Sequence, residues 1–380
     1  MDRYTQNPSY WEFQSFLAHT DYAIVGAGMT GLITAIKLKE RKPKANVLIL
    51  ERSFLPSGAS TKNAGFACFG SLSELIADLE DAGMDQVLEL ATKRYKGLLA
   101  LRKMTEAYDI DWQQNGGYEV FPERDKASYE SCLEKLDLFN DSLERTLGVK
   151  DVFSKNNEAR SLGLKDMPYL LFNKAEGQLN PGKLMKTLLR MAQSKGIKIF
   201  NGLAVEEFES HGKISVRLEN SWTFNTNYLI FTNNAFAKKM LPSLDITPVR
   251  NPVFLTSRIP DLQLKGCFHY QEGYIYFRNV DQRVLIGGAR HLDKVGETTS
   301  LFGINPLLER HLRNILDNHV LYGKEYEIEY KWSGILAVGS SKKPIVKHIK
   351  DNIFVAARMG GMGLAISSLV AEEALQLLTQ

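Results

Sequence analysis

Six residues near the start of the chain, Gly26-Ala27-Gly28-Met29-Thr30-Gly31, form a G-x-G-x-x-G between an apolar run and a helical pattern. The run before it, Tyr22-Ala23-Ile24-Val25, reads as a buried parallel strand, and Leu32 to Lys39 carries apolar residues at helical spacing. A second apolar strand, Asn46 to Leu50, leads into Glu51, twenty residues past Gly31. Each part has a physical task. Glycines permit a tight turn and close approach of a pyrophosphate, the helix N-terminus faces the phosphates, and the acid takes the ribose hydroxyls. Taken alone, the motif is compatible with NAD or FAD.

A chain of 380 residues can bury a large core and is expected to form two domains. Its net charge of +3 is too small to suggest nucleic-acid binding, so no nucleic-acid partner is expected. No apolar run is long enough to span a bilayer, so no membrane insertion is expected. Met1 to Thr20 lacks the apolar centre of a signal peptide, and a cytoplasmic location is the expectation. Cys68, Cys132 and Cys267 are an odd set without C-x-x-C spacing, which argues against a disulfide framework. Cys68 follows a glycine-rich segment, but a small buried hydrophobe is its expected role. The seven histidines are dispersed without metal-ligand spacing, so no metal is expected.

After Glu51 comes a polar loop, Pro56 to Gly65, whose hydroxyls and small residues suit backbone contact with a ligand. Helices are expected from Ser71 to Tyr108, broken at Gly83, and from Asp125 to Leu147, with a strand at Gly116 to Phe121 between them. Asn180 caps a helix that starts at Pro181 and runs to about Ser194. Short strands follow, ending in the apolar run Tyr228 to Phe231. The stretch from Pro248 to Ala289 is strand-rich, with a hairpin of Phe268 to Tyr270 and Tyr274 to Arg278 turning at Glu272-Gly273. A helix is expected from Pro306 to His319 and a strand from Tyr326 to Lys331. The chain closes with the strand Asn352 to Ala357, a second glycine turn Gly360-Gly361-Met362-Gly363, and a helix from Leu364 to Leu378. Strand, glycine turn and helix thus occur at both ends. The implied fold is α/β, a discontinuous Rossmann-like nucleotide domain with an inserted α+β substrate domain on a mostly antiparallel sheet.

Together these residues resemble the FAD-dependent amino-acid and amine oxidoreductases of the D-amino-acid oxidase type, which include glycine, sarcosine and gamma-glutamylputrescine oxidases. The resemblance rests on Gly26 to Gly31 with Glu51, the loop Gly58 to Gly65, Leu179-Asn180-Pro181-Gly182-Lys183-Leu184, Lys331 to Ile335 and Gly360 to Gly363. It implies an FAD-binding domain at 1–70, 174–235 and 332–380, and a substrate domain at 71–173 and 236–331. Gly26, Ala27, Gly28, Met29, Thr30 and Gly31 would hold the pyrophosphate, Glu51 the ribose, Arg52 the adenine flank and Val205 the adenine edge. Ser60, Thr61, Asn63, Ala64, Gly65 and Phe66 would run from pyrophosphate to flavin ring. Gly360, Gly361, Met362, Gly363 and Leu364 would place a helix N-terminus at the pyrimidine edge, where reduced flavin carries negative charge.

The implied reaction is oxidation of a C–N bond in a small amine or amino acid by hydride transfer to flavin N5, giving an imine that hydrolyses. Such a step needs a positioned, neutral amine more than a strong base. FAD would be bound non-covalently, because no cysteine or histidine matches an attachment point. The pattern also departs from the family. Amino-acid oxidising members carry an arginine soon after the Trp-x-Gly motif, whereas Ile335-Leu336-Ala337 has none. Arg278 and Arg290 are the candidate replacements, with a solvated arginine at a strand end as the plainer reading of each. Tyr276 and Trp332 complete the substrate-pocket candidates, with sheet packing or core as their alternatives. The strand Val284 to Gly288 lacks the lysine that sarcosine oxidases use with oxygen, so oxidase and dehydrogenase stay open, and O2 or another molecule could accept the electrons. A tRNA-modifying flavoenzyme is an alternative, for which Lys342, Lys343, Lys347 and Lys350 are the basic candidates and exposed loop lysines the plainer reading. A flavin hydroxylase, an NAD dehydrogenase and a flavin-binding protein with a diverged substrate site are the others.

Overall fold

The structure, a computed structural model, describes residues 7–378. The expected chain ends at positions 1–6 and 379–380 therefore lie outside the described residues. Contacts gather the chain into two compact units. The first unites the chain up to Thr61 with Gly182–Pro248 and the chain from Leu336, and the second unites Lys62–Pro181 with Val249–Ile335.

The first unit is built on a largely parallel sheet. Its strands Ile353–Ala357, Thr223–Phe231, Thr20–Val25, Val47–Glu51 and Lys198–Asn201 lie side by side in that order, all parallel. Every residue of Val47–Glu51 and Ile353–Ala357 is buried, as expected of strands covered on both faces. The helices Met29–Arg41 and Gly363–Leu377 pack against one another. Thr30 Oγ1 donates to Ser367 Oγ at 3.2 Å, and Lys37 pairs with Glu372 at 3.0 Å. A hairpin of Val205–His211 and Lys213–Leu218 joins Thr223–Phe231 antiparallel.

Lys347 and Lys350 overturn their reading as loop residues. They lie exposed on the strand Ile345–Lys350, which pairs antiparallel with Ile353–Ala357 at the sheet's edge. Exposed lysines on an edge strand discourage pairing with a further chain, and the mixed polarity of this segment hid its strand character.

The second unit carries an eight-stranded sheet in the order Ile328–Val338, Thr247–Thr256, Arg283–Gly288, Ile275–Val280, Cys267–Tyr270, Gly117–Phe121, Tyr169–Asn173, Phe153–Asn156. Apart from the parallel pair Cys267–Tyr270 and Gly117–Phe121, the pairings with a recorded register are antiparallel. Strand alternation gives the sheet two different faces. Tyr118, Val120, Phe268, Tyr270, Ile275, Phe277 and Ile286 point to one side. There they form a core with Leu308, Leu312 and Ile315 of the helix Pro306–Ile315. Glu119, Cys267, His269, Tyr276 and Arg278 alternate with these residues and occupy the opposite side.

Two boundaries differ from expectation. The helix begun at Pro306 widens after Ile315 into a looser turn over Leu316–Val320, in which Leu321 N–H reaches back to Leu316 O at 2.7 Å. The strand expected at Tyr326 to Lys331 instead spans Ile328–Val338, so Trp332, Ser333 and Gly334 lie within it.

Candidate functional site

The glycine turn of the first unit is closed by backbone proximity. Gly26 sits at φ +104°, and a Cβ there would meet Asn233 Cα at 3.1 Å. A Cβ on Gly31 would lie 2.1 Å from Gly26 O and 2.6 Å from Thr232 Oγ1, so only glycine lets the helix seat on the turn. Thr232 Oγ1 donates to Val25 O at 2.9 Å and fastens the turn to the neighbouring strand. The helix Met29–Arg41 has Gly28 at its N-cap and no side-chain cap there. Its first amide, Met29 N–H, donates to Ser60 Oγ at 3.0 Å, bringing the polar loop to the helix N-terminus.

Glu51 is buried at the end of its strand. One carboxylate oxygen accepts from Ala27 N–H at 3.1 Å and the other from Ser53 N–H at 3.0 Å. Leu203 N–H bonds Glu51 O at 3.0 Å, which leads Val205 in beside the acid's strand. The Arg52 guanidinium lies over the Phe236 ring at 3.6 Å. Thr61 Oγ1 donates to Pro56 O at 2.6 Å, closing the loop on itself.

The second glycine turn belongs to the same unit. Gly360 has φ +58°, and an added Cβ at Gly360 or Gly361 would meet nothing within 4 Å. No side chain caps the helix Gly363–Leu377 at Met362. Asn234 Oδ1 accepts from Met359 N–H at 3.1 Å, tying this turn to the segment that closes the first. Thr232 and Asn234 thus brace the first and second glycine turns from one segment. The buried Asn233 Oδ1 has no hydrogen-bond partner among the described residues. Two helix N-termini whose own N-cap residues supply no side-chain cap, a buried acid at a strand end and a glycine surface open to approach fit a dinucleotide cofactor.

In the second unit, the loop Asn63 to Phe66 is held from several sides. Asn63 Oδ1 accepts from Gly65 N–H at 2.8 Å, and Leu179 N–H bonds Gly65 O at 2.9 Å. Arg278 Nε donates to Ala64 O at 2.6 Å, and Nη2 donates to Leu179 O at 3.0 Å. Arg278 is 5% exposed, which overturns its reading as a solvated strand end. The strand direction aims it at the loop, and the sheet covers its stem.

Phe66, Tyr276 and Trp332 pack on a small apolar cluster of Ala64, Val253 and Leu285. Phe66 meets His269 and Tyr276 edge-on, at 5.5 Å and 5.3 Å between ring centres. Asn251 Nδ2 donates to the Tyr276 hydroxyl at 3.0 Å, and burial pushes that phenol's pKa well up. Trp332 Nε1 donates to Lys62 O at 2.9 Å. Arg290, partly buried, lies over the Tyr274 ring at 5.2 Å and has no ion pair among the described residues.

The register aligns Glu119, His269 and Tyr276 across three strands. His269 Nε2 lies 2.8 Å from Glu176 Oε2. Burial alone lowers the His269 pKa, but the charge and hydrogen bond of Glu176, aided by Glu119 and Glu74, outweigh it and raise the value. Glu119 accepts from Ser73 N–H at 3.1 Å and from the Ser73 hydroxyl, yet burial raises its pKa. A cavity of about 10 Å3, water-sized, lies among Glu119, Asn173, Glu176 and His269. Cys68 joins Glu176 and His269 so that one ligand-type atom from each lies within 4.8 Å of the others. No spacing in the sequence announces this cluster, because Cys68 and Glu176 reach His269 from connecting segments far away in the chain. The imidazole–carboxylate hydrogen bond already accounts for the close pair.

The model of the FAD-dependent oxidoreductase family matches residues 21–377, nearly the whole chain. The chain belongs to this family. Among curated relatives, a probable oxidoreductase, OrdL, of Haemophilus influenzae is 22% identical over 372 residues, covering 93% of this chain and 81% of that protein. The gamma-glutamylputrescine oxidoreductase of Escherichia coli is 24% identical over 377 residues, covering 94% and 83%. The fold matches glycine oxidase from Geobacillus kaustophilus with a TM-score of 0.74 at 20% identity, covering 94% of each chain. As an FAD-dependent oxidoreductase, the chain has the α/β organisation expected from its two glycine turns. Among its described residues, no helix is long and apolar enough to cross a membrane.

Proposed function

We propose that this FAD-dependent oxidoreductase oxidises the C–N bond of a small amine or amino acid. In this reading the first unit is the FAD-binding domain and the second carries the substrate. When bound, FAD supplies the acceptor for the two electrons and the hydrogen lost from the substrate carbon. The residues proposed to hold it are Gly26 to Gly31, Glu51, Arg52, Ser60, Thr61, Val205 and Gly360 to Leu364, together with Asn63 to Phe66.

The observation that carries the substrate reading is the aromatic face built by Phe66, Tyr276 and Trp332 beside the Asn63–Phe66 loop. Fixed rings exclude water and orient an alkyl amine, and a positioned neutral amine is what this oxidation needs. The Tyr276 hydroxyl, held by Asn251, gives the face one oriented polar atom. Arg278 is occupied by carbonyls, so a carboxylate on the substrate would turn to Arg290 over Tyr274. The named substrates of two relatives, gamma-glutamylputrescine and glycine, both bear an amine nitrogen, which supports the same class.

The test is anaerobic mixing of the FAD-loaded chain with primary amines, N-alkyl amino acids and α-amino acids, with a 2-hydroxy acid and a glycerol phosphate as alcohol controls. Bleaching of oxidised FAD by an amine is expected. Bleaching by an alcohol alone, or by RNA or a phenol, would overturn the assignment.

A further inference from the structure

Arg278 is a buried cation whose partners are all neutral. Its guanidinium donates to the carbonyls of Ala64 and Leu179, with a longer contact to Asn279 O at 3.5 Å. It makes no ion pair among the described residues, and Asp111 and Asp281 act on it only from beyond that range. Its cross-strand neighbour Cys267 offers no compensating charge. That thiol is fully buried, its pKa is pushed far up by burial, and it donates to Gly177 O at 3.1 Å. On the other side Arg278 faces Leu285 across the ladder. A guanidinium stays ionised even when burial lowers its pKa.

Burying a charge without a counter-charge is costly, and neutral carbonyls recover only part of that cost. A staple between two carbonyls could be made by a neutral side chain. The positive charge itself therefore asks for an anion that arrives from elsewhere. Arg278 holds the Ala64–Gly65 segment, and a Cβ on Gly65 would lie 2.7 Å from its Nη2, so backbone and guanidinium are in direct contact there. Four residues earlier in the same loop, Ser60 meets the N-terminus of the helix Met29–Arg41.

We infer that Arg278 supplies a fixed positive charge that favours the reduced, anionic form of bound FAD, and so raises the cofactor's reduction potential. The inference rests on the reading that Asn63 to Phe66 border the flavin ring. Low local dielectric lets a fixed charge act strongly, and charge near the ring tunes the cofactor's electronics. Arg278 is a positioning and electrostatic residue and takes no part in bond making.

The experiment compares Arg278→Lys and Arg278→Gln, each purified as the FAD-loaded full chain. Both retain a donor for Ala64 O, and they differ in charge. The readout is the FAD reduction potential, measured by equilibration with reference dyes without any substrate. Arg278→Lys is expected to stay within about threefold of the wild-type equilibrium between oxidised and reduced FAD. Arg278→Gln is expected to shift that equilibrium at least tenfold toward oxidised FAD, ~30 mV for a two-electron couple. Loss of FAD by the Gln variant but not the Lys variant would equally support a role for the charge. Equal potentials in both variants and wild type would reduce Arg278 to a loop staple and overturn the inference. So would loss of FAD or of folding in both variants alike. A wild-type chain that takes up no FAD would instead refute the cofactor reading itself, before Arg278 is reached.

Discussion

The proposed nucleotide cradle of the first unit and the proposed substrate face of the second are built by different means. The cradle is written in backbone. Gly26 and Gly31 bring main chain against main chain, and Glu51 grips two amides within a short stretch of sequence. The face is written in side chains from distant segments, with Phe66, Tyr276 and Trp332 packed on Ala64, Val253 and Leu285. Glu119, His269 and Tyr276 come into line from positions 150 residues apart, and Glu176 joins them from another segment. Backbone devices depend on glycine and tolerate almost no substitution, whereas a side-chain face can change its chemistry while the sheet beneath it stands. The two regions should therefore fail differently.

The largest effect is expected from Gly31→Ala. Its Cβ would lie 2.1 Å from Gly26 O, and relieving that overlap should cost about 1–3 kcal/mol of stability and abolish FAD retention. Thermal unfolding and flavin fluorescence measure both, and a variant that keeps FAD would break the claim that the cradle is inflexible. Glu51→Ala comes next. It leaves the Ala27 and Ser53 amides without their charged acceptor, worth about 1.5–3 kcal/mol, so FAD affinity should fall about 10- to 100-fold.

A smaller and different effect is expected from Tyr276→Phe. It removes one hydrogen bond from Asn251, worth about 1 kcal/mol, and should lower the rate of FAD bleaching by an amine without changing FAD affinity. His269→Gln tests the face through pH. The folded-state pKa of His269 is raised, so its contribution to stability is complete below the unfolded value of about 6.5. That contribution is lost as pH rises through the elevated folded value. The melting-temperature gap between wild type and His269→Gln should thus be widest in acid and close toward alkaline pH; a gap independent of pH would refute the charged pair with Glu176. The smallest effect belongs to Lys347→Ala with Lys350→Ala. These exposed edge-strand residues should change stability by less than about 0.5 kcal/mol and leave FAD binding unaltered.

The same contrast explains what could be read from the chain. Tyr22 to Val25, Asn46 to Leu50 and Asn352 to Ala357 are continuous apolar runs, and runs buried on both faces announce parallel strands. The glycine turns follow them directly, so the cradle lay open to inspection. The second unit's strands alternate polar and apolar residues, and that pattern gives each residue's face but not its neighbour. Tyr276 and Arg278 could be placed on one face by their spacing of two. That Arg278 points into a loop about 210 residues earlier, and that Cys68 meets Glu176 and His269, depends on sheet order, which no local pattern carries. The strand Ile345–Lys350 was missed for a related reason. An edge strand needs only one buried side, and its lysines mimic a loop.

The FAD dissociation constant, measured side by side for Glu51→Ala and Tyr276→Phe, tests this division of labour most directly. Affinity should fall at least tenfold in Glu51→Ala and stay at the wild-type value in Tyr276→Phe. Equal losses in the two variants, or a loss confined to Tyr276→Phe, would contradict a cofactor held by the backbone cradle and a substrate held by the aromatic face.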